Sequence, residues 1–451
     1  MRRKLHPESG AFITTAAAFV VFVLLPSTIR ATGADQQELL RTEGKRFEGK
    51  VVLGDDPGID EYLAYASHNS PALRSAYYRW SSRSEMIPSV SSLPDPVLTY
   101  TWFGESVETR VGPQRQRFGV RQPIPWFGTL GLRGDVTREE AWAAYGDYMT
   151  KRLQMAYQVR QAYSRYYLVG REIEIARSTL DLLRRWEETV RARYETGARG
   201  YGDLLRIQIE TARTEDRLRA LEDSRAAAAE QLRSAVGAPD TLGVPVPRTL
   251  PEPASIEGEN PLAAVLENNP ALLAADHMIR REEQSLSLAG RSSWPDLALG
   301  FEYIDTGEAL DPSMPESGKD PWMVSLSVEL PLWFAKHSAE KDAARARIEM
   351  SRYAKRAAED ELKARTERVL YELRDARSKV ALYADTLIPR AEESLAVTLR
   401  DYEGAVADFL DVLEAQRLLL DLRLELEETL VRREIASAEL EMLAGREYRP
   451  Q

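Results

Sequence analysis

Cysteine is absent from the 451 residues of this chain. Its absence excludes disulfides, zinc–thiolate sites, cysteine nucleophiles and a lipid anchor on an N-terminal cysteine, so the fold must be held by packing. Long apolar stretches are also scarce. A mean hydropathy of −0.40 and a charged fraction of 29% exclude a helical membrane protein with many spans. The net charge of −11 argues against a nucleic-acid partner, which would need clustered Lys and Arg.

Motifs of catalytic chemistry are missing as well. The four histidines are scattered along the chain at His6, His68, His277 and His337. The sequence contains no HExxH motif, phosphate-binding loop or Gly-x-Ser-x-Gly elbow. Carboxylates abound, but on heptad-patterned helices they are mostly the solvated face. We therefore expect no enzyme and no cofactor.

The first 34 residues have the pattern of a secretory signal. A basic start precedes an apolar core at 11–25, and small residues follow where cleavage is expected: Arg2, Arg3 and Lys4, then Ala31, Gly33 and Ala34. The alternative is an uncleaved anchor. A core of about 15 apolar residues is shorter than the roughly 20 that a spanning helix needs, which favours cleavage and export.

One stretch occurs twice. Residues 194–208 (YETGARGYGDLLRIQ) and 402–416 (YEGAVADFLDVLEAQ) share Tyr, Glu, Asp, Leu and Gln at a constant offset of 208. Each copy interrupts a long helical pattern, and each places a carboxylate just after the interruption. The repetition predicts one duplicated domain whose halves each contain a helical hairpin with a tip at this stretch.

The order of elements is the same in both halves: helix, β-hairpin, long helix, tip, helix. A flexible extension at 35–56 precedes them, and a Pro-rich linker at 237–258 separates them. The first repeat, 57–236, has strands at about 97–104 and 116–124 and long helices at about 134–196 and 203–236. The second, 259–445, has strands at about 296–304 and 323–331 and helices at about 335–402 and 408–443, before a tail at 446–451.

The long helices carry heptad seams. Apolar residues recur at alternating steps of 4 and 3, which is typical of left-handed coiled-coil packing. In the first repeat they are Met155, Val159, Ala162, Tyr166, Val169, Ile173, Ala176, Leu180 and Leu183. In the second they are Leu362, Thr366, Val369, Leu373, Ala376, Val380, Tyr383 and Leu387. Pro389 is expected to kink the second helix, because it lacks a backbone N–H.

The four strands alternate apolar and polar residues and have the length of membrane-spanning strands. Five tryptophans lie at or near their ends, where an interfacial aromatic belt is expected: Trp102, Trp126, Trp294, Trp322 and Trp333. A soluble sheet packed on the helices would give the same alternation. Because the chain is expected to be exported, we favour membrane-spanning strands over a soluble sheet. Four strands cannot close a barrel alone, so several copies of the chain must each contribute four.

This arrangement resembles the TolC family of outer-membrane channels over nearly the whole mature chain, most specifically in the duplicated element order and in the tip at 402–416. The resemblance implies a mainly α fold with a small membrane β part. It implies a homotrimer with a twelve-stranded barrel in the outer-membrane lipid and an α-helical barrel across the periplasm. It also implies a periplasmic adaptor and an inner-membrane pump, of the RND type. The segment 93–131 looks most like members paired with heavy-metal efflux pumps (CusC/CzcC-like).

The resemblance also nominates residues at the tips. Acidic residues near the second tip narrow the periplasmic entrance in the family, and the matching positions are Asp411 and Glu414, which share one helix face. Asp203 occupies the related place in the first tip. Each could instead cap a restarting helix; this alternative is favoured for Asp203, and the gate for the other two. The family's latching basic residue is replaced here by Ala407, for which Arg199 is a substitute candidate.

The turns themselves are expected to meet the adaptor, because the family's tips do so; the alternative is a pair of turns that bind no partner. The expected contacts are Tyr194, Gly197, Ala198 and Arg199 in the first tip, and Tyr402, Gly404, Ala405 and Val406 in the second. The two glycines are expected to reverse the helices through positive φ.

The resulting hypothesis is a passive exit duct of a tripartite efflux system, located in the outer membrane and extending into the periplasm. Heavy-metal cations are one candidate cargo, and drugs or secreted protein are the alternatives. The rival from another class is an exported structural coiled-coil protein without a pore.

Overall fold

The computed structural model describes residues 34–197, 200–252, 260–311, 313–404 and 406–446. The expected signal therefore lies almost wholly outside the described residues. Within them, no helix combines the length and apolar character needed to cross a membrane.

The two halves have the same order of elements. The first contains α1 (Ala34–Gly44), α2 (Ile59–Asn69), α3 (Pro71–Ser91), β1 (Val97–Thr109), β2 (Gly112–Ile124), α4 (Thr129–Glu195) and α5 (Tyr201–Val236). The second contains α6 (Pro261–Asn268), α7 (Pro270–Arg291), β3 (Asp296–Thr306), β4 (Trp322–Glu329), α8 (Phe334–Leu382), α9 (Ile388–Glu403) and α10 (Phe409–Leu443). The duplicated helix–hairpin–long helix–tip–helix order is confirmed.

The strands form one antiparallel sheet in the order β1-β2-β3-β4, which leaves β1 and β4 as its edges. The hairpin of β1 and β2 extends farther than the alternation predicts, because pairing continues as far as Thr109 and Gly112.

The register places the apolar residues of all four strands on one face. Tyr100 pairs with Phe118, Phe118 with Tyr303, and Tyr303 with Trp322. Most side chains on this face are exposed, including Leu98, Tyr100, Trp102, Phe118, Val120, Leu299, Trp322, Val324, Leu326 and Val328. A sheet packed on the helices would bury this face, so that alternative is wrong.

The opposite face is polar and carries small residues. Arg117 and Glu302 lie across β2 and β3, with 3.5 Å between guanidinium and carboxylate. Ala298 and Gly300 are buried on this side. A Cβ added to Gly300 would lie 2.4 Å from the Ser325 hydroxyl, so the residues on this polar face are closely fitted.

The long helices are packed along their heptad seams. Helix α4 has 67 residues, which corresponds to about 100 Å. Its buried residues include Met155, Val159, Ala162, Tyr166, Ile173, Ala176, Leu180 and Leu183 from the first predicted seam. In α8 the seam buries Thr366, Val369, Leu373 and Ala376.

The irregularity expected near Pro389 takes the form of a π-helical turn at Tyr383–Leu387, between α8 and α9. Pro389 stands in the first turn of α9 and supplies no backbone N–H. The missing hydrogen bond explains why the helical ladder shifts immediately before it.

The segment 35–56 is not simply a flexible extension, and that prediction is corrected. Part of it belongs to α1, whose Leu40 is buried in the core of the first repeat. The Glu43 carboxylate accepts hydrogen bonds from Tyr148 Oη at 2.7 Å and from Arg152 Nη1 at 3.1 Å. The polar composition suggested flexibility, but these charges are paired partners in a packed interface.

The linker between the halves is also partly packed. Val244 and Val246 lie against the core of the first repeat, and the Tyr166 hydroxyl donates to the Val244 carbonyl at 3.1 Å. Residues 253–259 of the predicted linker lie outside the described residues.

Candidate functional site at the two helical tips

The first tip turns at Gly197. Its φ of +74° belongs to the left-handed region that favours glycine, as predicted, and its N–H donates to the Tyr194 carbonyl at 2.9 Å. Helix α5 then begins after Gly200, which has an extended backbone. The predicted contacts Ala198 and Arg199 lie outside the described residues.

The second tip turns by a different route. Gly404 has a φ of −77°, which any residue can adopt, so the prediction of positive φ there is wrong. The turn is closed by the Asp401 carbonyl, which accepts from the N–H groups of Val406 at 2.8 Å and Ala407 at 3.2 Å. The predicted contact Ala405 lies outside the described residues.

A reciprocal capping box starts α10. The Asp408 N–H donates to Asp411 Oδ2 at 3.1 Å, and the Asp408 carboxylate accepts from the Asp411 N–H. At the first tip the N-cap residue is Gly200, which has no side chain to cap α5. Asp203 lies in the first turn there, 3.7 Å from Arg206. The sequence favours a capping role for Asp203 and a gating role for Asp411. In the structure, the carboxylate of these two that forms a capping hydrogen bond is that of Asp411.

Asp411 and Glu414 form an exposed acidic face on α10. They lie one turn apart, and Asp421 continues the same face two turns farther on. Arg417 lies between Glu414 and Asp421 on the same stripe of the helix and pairs with Glu210 of α5. That hydrogen bond is the main reason that the pKa of Arg417 is raised, and Glu414 and Asp421 add to it. Arg417 therefore joins the two hairpins at the edge of the acidic stripe.

The two tips are packed against each other through an apolar group that we call the tip cluster. It comprises Leu183, Val190, Leu204, Ile207, Tyr402, Phe409, Val412 and Leu413. The Arg193 guanidinium lies 5.1 Å from the centroid of the Tyr402 ring. Tyr402 is only 3% exposed, so its prediction as a docking contact is corrected to a core residue.

The other described docking candidates are accessible. Val406 is 82% exposed, and Tyr194, Gly197 and Gly404 are also exposed. Sequence reasoning missed a neighbouring stripe on α5, formed by Tyr201, Leu205 and Ile209, which are all exposed. Their spacing of four residues was the available signal, since it places them on one helix face.

The tryptophans nominated for the membrane interface lie at two levels of the sheet. Trp126 and Trp294 stack with 5.3 Å between ring centroids at the helical end, where Trp333 follows β4. Trp102 and Trp322 lie toward the opposite end and are exposed. The eight residues of β4 span about 26 Å, close to the apolar band of roughly 25 Å in membrane barrels.

Among the described residues, no group of three or more His, Asp or Glu side chains is arranged to hold a metal ion. His277 instead lies 2.7 Å from Glu139 and stacks on Trp142, with 5.7 Å between ring centroids. His68 lies 2.9 Å from the Arg46 carbonyl.

Comparison with known proteins identifies a family whose profile matches both halves of the chain. A sequence profile described as "Outer membrane efflux protein" matches residues 64–238 and 262–446, one segment in each half. No curated protein matches the chain significantly in sequence.

Solved structures match over most of the chain. CusC matches with a TM-score of 0.75 and 16% identity, over 89% of this chain and 95% of that one. The outer-membrane channel OprN matches with a TM-score of 0.74 and 16% identity, over 90% and 92%. VceC from Vibrio cholerae matches with a TM-score of 0.70 and 17% identity, over 86% and 96%.

Proposed function

We propose the following assembly for this chain, which belongs to the family of outer membrane efflux proteins. Three copies each contribute their four strands to one twelve-stranded barrel, and their long helices continue that barrel as a tube across the periplasm. The protein itself is an outer-membrane efflux channel that extends into the periplasm. We further propose that it acts passively, receiving cargo from a periplasmic adaptor and an inner-membrane pump of the RND type.

The observation that carries this assembly is the sheet with one exposed apolar face and two open edges. In lipid, each unsatisfied backbone group at an edge costs several kcal/mol. Pairing β1 of one copy with β4 of the next removes both edges at once. The apolar face then meets lipid and the polar face, with Arg117 and Glu302, lines water.

Two arginine substitutions on neighbouring residues of β4 test the barrel. Leu326→Arg places a charge on the apolar face, at a cost of about 2–4 kcal/mol near the bilayer midplane, whereas Ser327→Arg places it on the polar face. We expect L326R to abolish heat-modifiable oligomers in the outer-membrane fraction and S327R to retain them. Equal behaviour of the two variants, or recovery of the unaltered protein as a soluble monomer, would refute the barrel.

We propose that Asp411 and Glu414 form the periplasmic gate. In a trimer their exposed face would bring six carboxylates to the axis, a ring that attracts cations. The capping box supports this placement, because it fixes where the Asp411 carboxylate lies. Asp203 lacks such an exposed acidic face around it. We propose that its carboxylate instead stabilises the N-terminus of α5 through the helix dipole.

The gate is tested with a variant that keeps the cap. Asp411→Asn retains an oxygen for the Asp408 N–H while it removes the charge, and Glu414→Gln removes the second charge. In planar bilayers we expect the double variant to conduct more and to be blocked less by divalent cations. Glu428→Gln, an exposed carboxylate elsewhere on α10, is the matched control. Unchanged single-channel currents in D411N/E414Q would refute the gate and leave helix capping as the role of Asp411.

We propose that the adaptor docks on the exposed turns, at Tyr194, Gly197, Gly404 and Val406, and on the stripe of Tyr201, Leu205 and Ile209. A photo-crosslinking residue placed at Val406 should capture the adaptor in cells. The same probe at Tyr353, an exposed residue in the middle of α8, should not. Capture from both positions would show that the contact is not specific to the tips.

We propose heavy-metal cations as the cargo, on the basis of the resemblance of segment 93–131 to channels paired with metal pumps. Deleting the gene should then lower tolerance to copper, zinc or nickel salts more than tolerance to drugs. A loss of drug tolerance alone, or of protein secretion alone, would assign the duct to one of the other cargo classes.

A further inference from the structure

A buried charge cluster joins the two repeats where α4 lies against α10. The Arg160 guanidinium binds Glu434 Oε1 through Nε at 2.9 Å and Nη2 at 2.7 Å, and Glu441 Oε2 through Nη1 at 2.8 Å. Arg160, Glu434 and Glu441 are 2%, 1% and 5% exposed. Since α4 belongs to the first hairpin and α10 to the second, this cluster is a fastening point between them.

The cluster holds two carboxylates but one cation at its centre. Both bonds from Arg160 to Glu434 end on Oε1, whereas Oε2 is buried and has no hydrogen-bond partner among the described residues. An ionised carboxylate with one buried, unsatisfied oxygen is costly, and a protonated carboxyl in that place is much less so.

The neighbouring cations offset the cost of ionising Glu434 only in part, since its pKa remains raised. On α10 itself, Arg433 favours the ionised form of Glu434 more weakly than Arg160 does, while Glu441 opposes it. On α8, the cations Arg365 and Arg368 are held by Glu439 at 2.6 and 2.8 Å. Beyond the end of α10, Arg446 lines a water-sized cavity of about 10 Å³ together with Arg160 and Glu441.

The protonation equilibrium of Glu434 is displaced accordingly. Burial raises its pKa to about 7; Arg160 opposes this shift and the Glu441 carboxylate adds to it. The ordinary value of a glutamate is 4.5, so over the interval from 4.5 to about 7 the folded protein holds a proton that the unfolded chain releases. The contribution to stability is therefore full below the ordinary value and is lost as the pH rises through the folded pKa.

We propose that the Arg160–Glu434–Glu441 cluster is a proton-operated fastener, which holds the two hairpins together more tightly when Glu434 carries a proton than when both carboxylates are ionised. The protonated cluster has one negative charge for one positive charge. Loss of the proton leaves a second negative charge buried in the seam. The stability of the contact between α10 and α4 then depends on the pH of the periplasm, independently of the cargo.

Infrared difference spectroscopy of the assembled protein tests this directly, because a protonated carboxyl has its own carbonyl stretch. We expect a band that disappears with a midpoint near pH 7 in the unaltered protein and is absent in Glu434→Gln. Glu441→Gln removes the opposing negative charge, so it should move the midpoint to lower pH. Glu428→Gln, which is exposed and pairs with Arg432 on the same helix, should leave the band unchanged.

Hydrogen exchange of the α10 amides supplies the second readout, corrected for the intrinsic pH dependence of exchange. Protection should fall by at least about an order of magnitude between about pH 5.5 and 8.5 in the unaltered protein and stay constant in E434Q. A band that persists in E434Q, a band that is lost only in E441Q, or pH-independent protection in the unaltered protein would each overturn the proposal.

Discussion

The contact between α4 and α10 has two parts of opposite chemistry. The charged part joins Arg160 and Arg171 of α4 to three glutamates of α10, whereas the apolar part is the tip cluster. The glutamates are spaced by seven residues and are all buried: Glu427, Glu434 and Glu441. Such spacing places them on one face of the helix.

The two parts respond differently to a sliding movement. Ion pairs in a buried seam are directional, and a shift of register would leave charges unpaired at a cost of several kcal/mol. Apolar contacts are non-directional and can be remade after a small displacement. The charged part therefore fixes how the two hairpins are aligned, while the tip cluster can rearrange. We therefore expect any rearrangement between the hairpins to occur at the tips, next to Asp411 and Glu414.

The largest effect should come from breaking the charged part. Arg160→Met would leave two buried carboxylates without their cation, a change that typically costs about 3–5 kcal/mol. We expect the free energy of opening of the α10 amides, measured by hydrogen exchange, to fall by that amount around Glu434. Arg432→Met removes an exposed pair with Glu428 on the same helix, and its effect should stay below about 1 kcal/mol. Similar losses in both variants would contradict a fastening role for Arg160.

A smaller and more local effect should follow from weakening the tip cluster. Leu413 is 1% exposed, and Leu413→Ala should cost about 3 kcal/mol through lost burial and a cavity. Exchange should accelerate in α9 and in the start of α10 while the amides around Glu434 keep their protection. Leu418→Ala, at an exposed position on the same helix, is the control. Loss of protection along the whole of α10 would show that the two parts act as one unit.

Most of the fold was predictable because its signals are periodic. Alternation identified all four strands, and steps of 4 and 3 identified the packed faces of α4 and α8, since both patterns follow from backbone geometry. The helix α1 was missed because its residues are mostly polar. Its packing depends on Glu43 meeting Tyr148 and Arg152, partners more than 100 residues away, which no local pattern records.

The candidate site was predictable in position but not in detail. The repeated stretch located both tips, and the exposure of Asp411, Glu414 and Val406 agrees with the roles proposed for them. Tyr402 could not be recognised as buried, because the Arg193 guanidinium that lies over its ring comes from the other hairpin. The Arg160 cluster could not be predicted for the same reason, because Arg160 comes from the other hairpin. From the sequence alone, Glu434 and Glu441 are interpreted as part of a solvated helix face.

The smallest effect is expected from substitutions that compare helix capping at the two tips. Asp411→Ala removes the carboxylate that accepts from the Asp408 N–H and should cost about 1 kcal/mol, seen as fraying of the first turn of α10 by hydrogen exchange. Asp203→Ala should cost a few tenths of a kcal/mol, because the described contact of Asp203 is a surface pair and its remaining contribution comes from the helix dipole. Asp411→Asn should keep most of the cap and so distinguish lost geometry from lost charge. Equal fraying in D411A and D203A would mean that the capping box does not stabilise the second tip, and Asp411 would then be free to act through its charge alone.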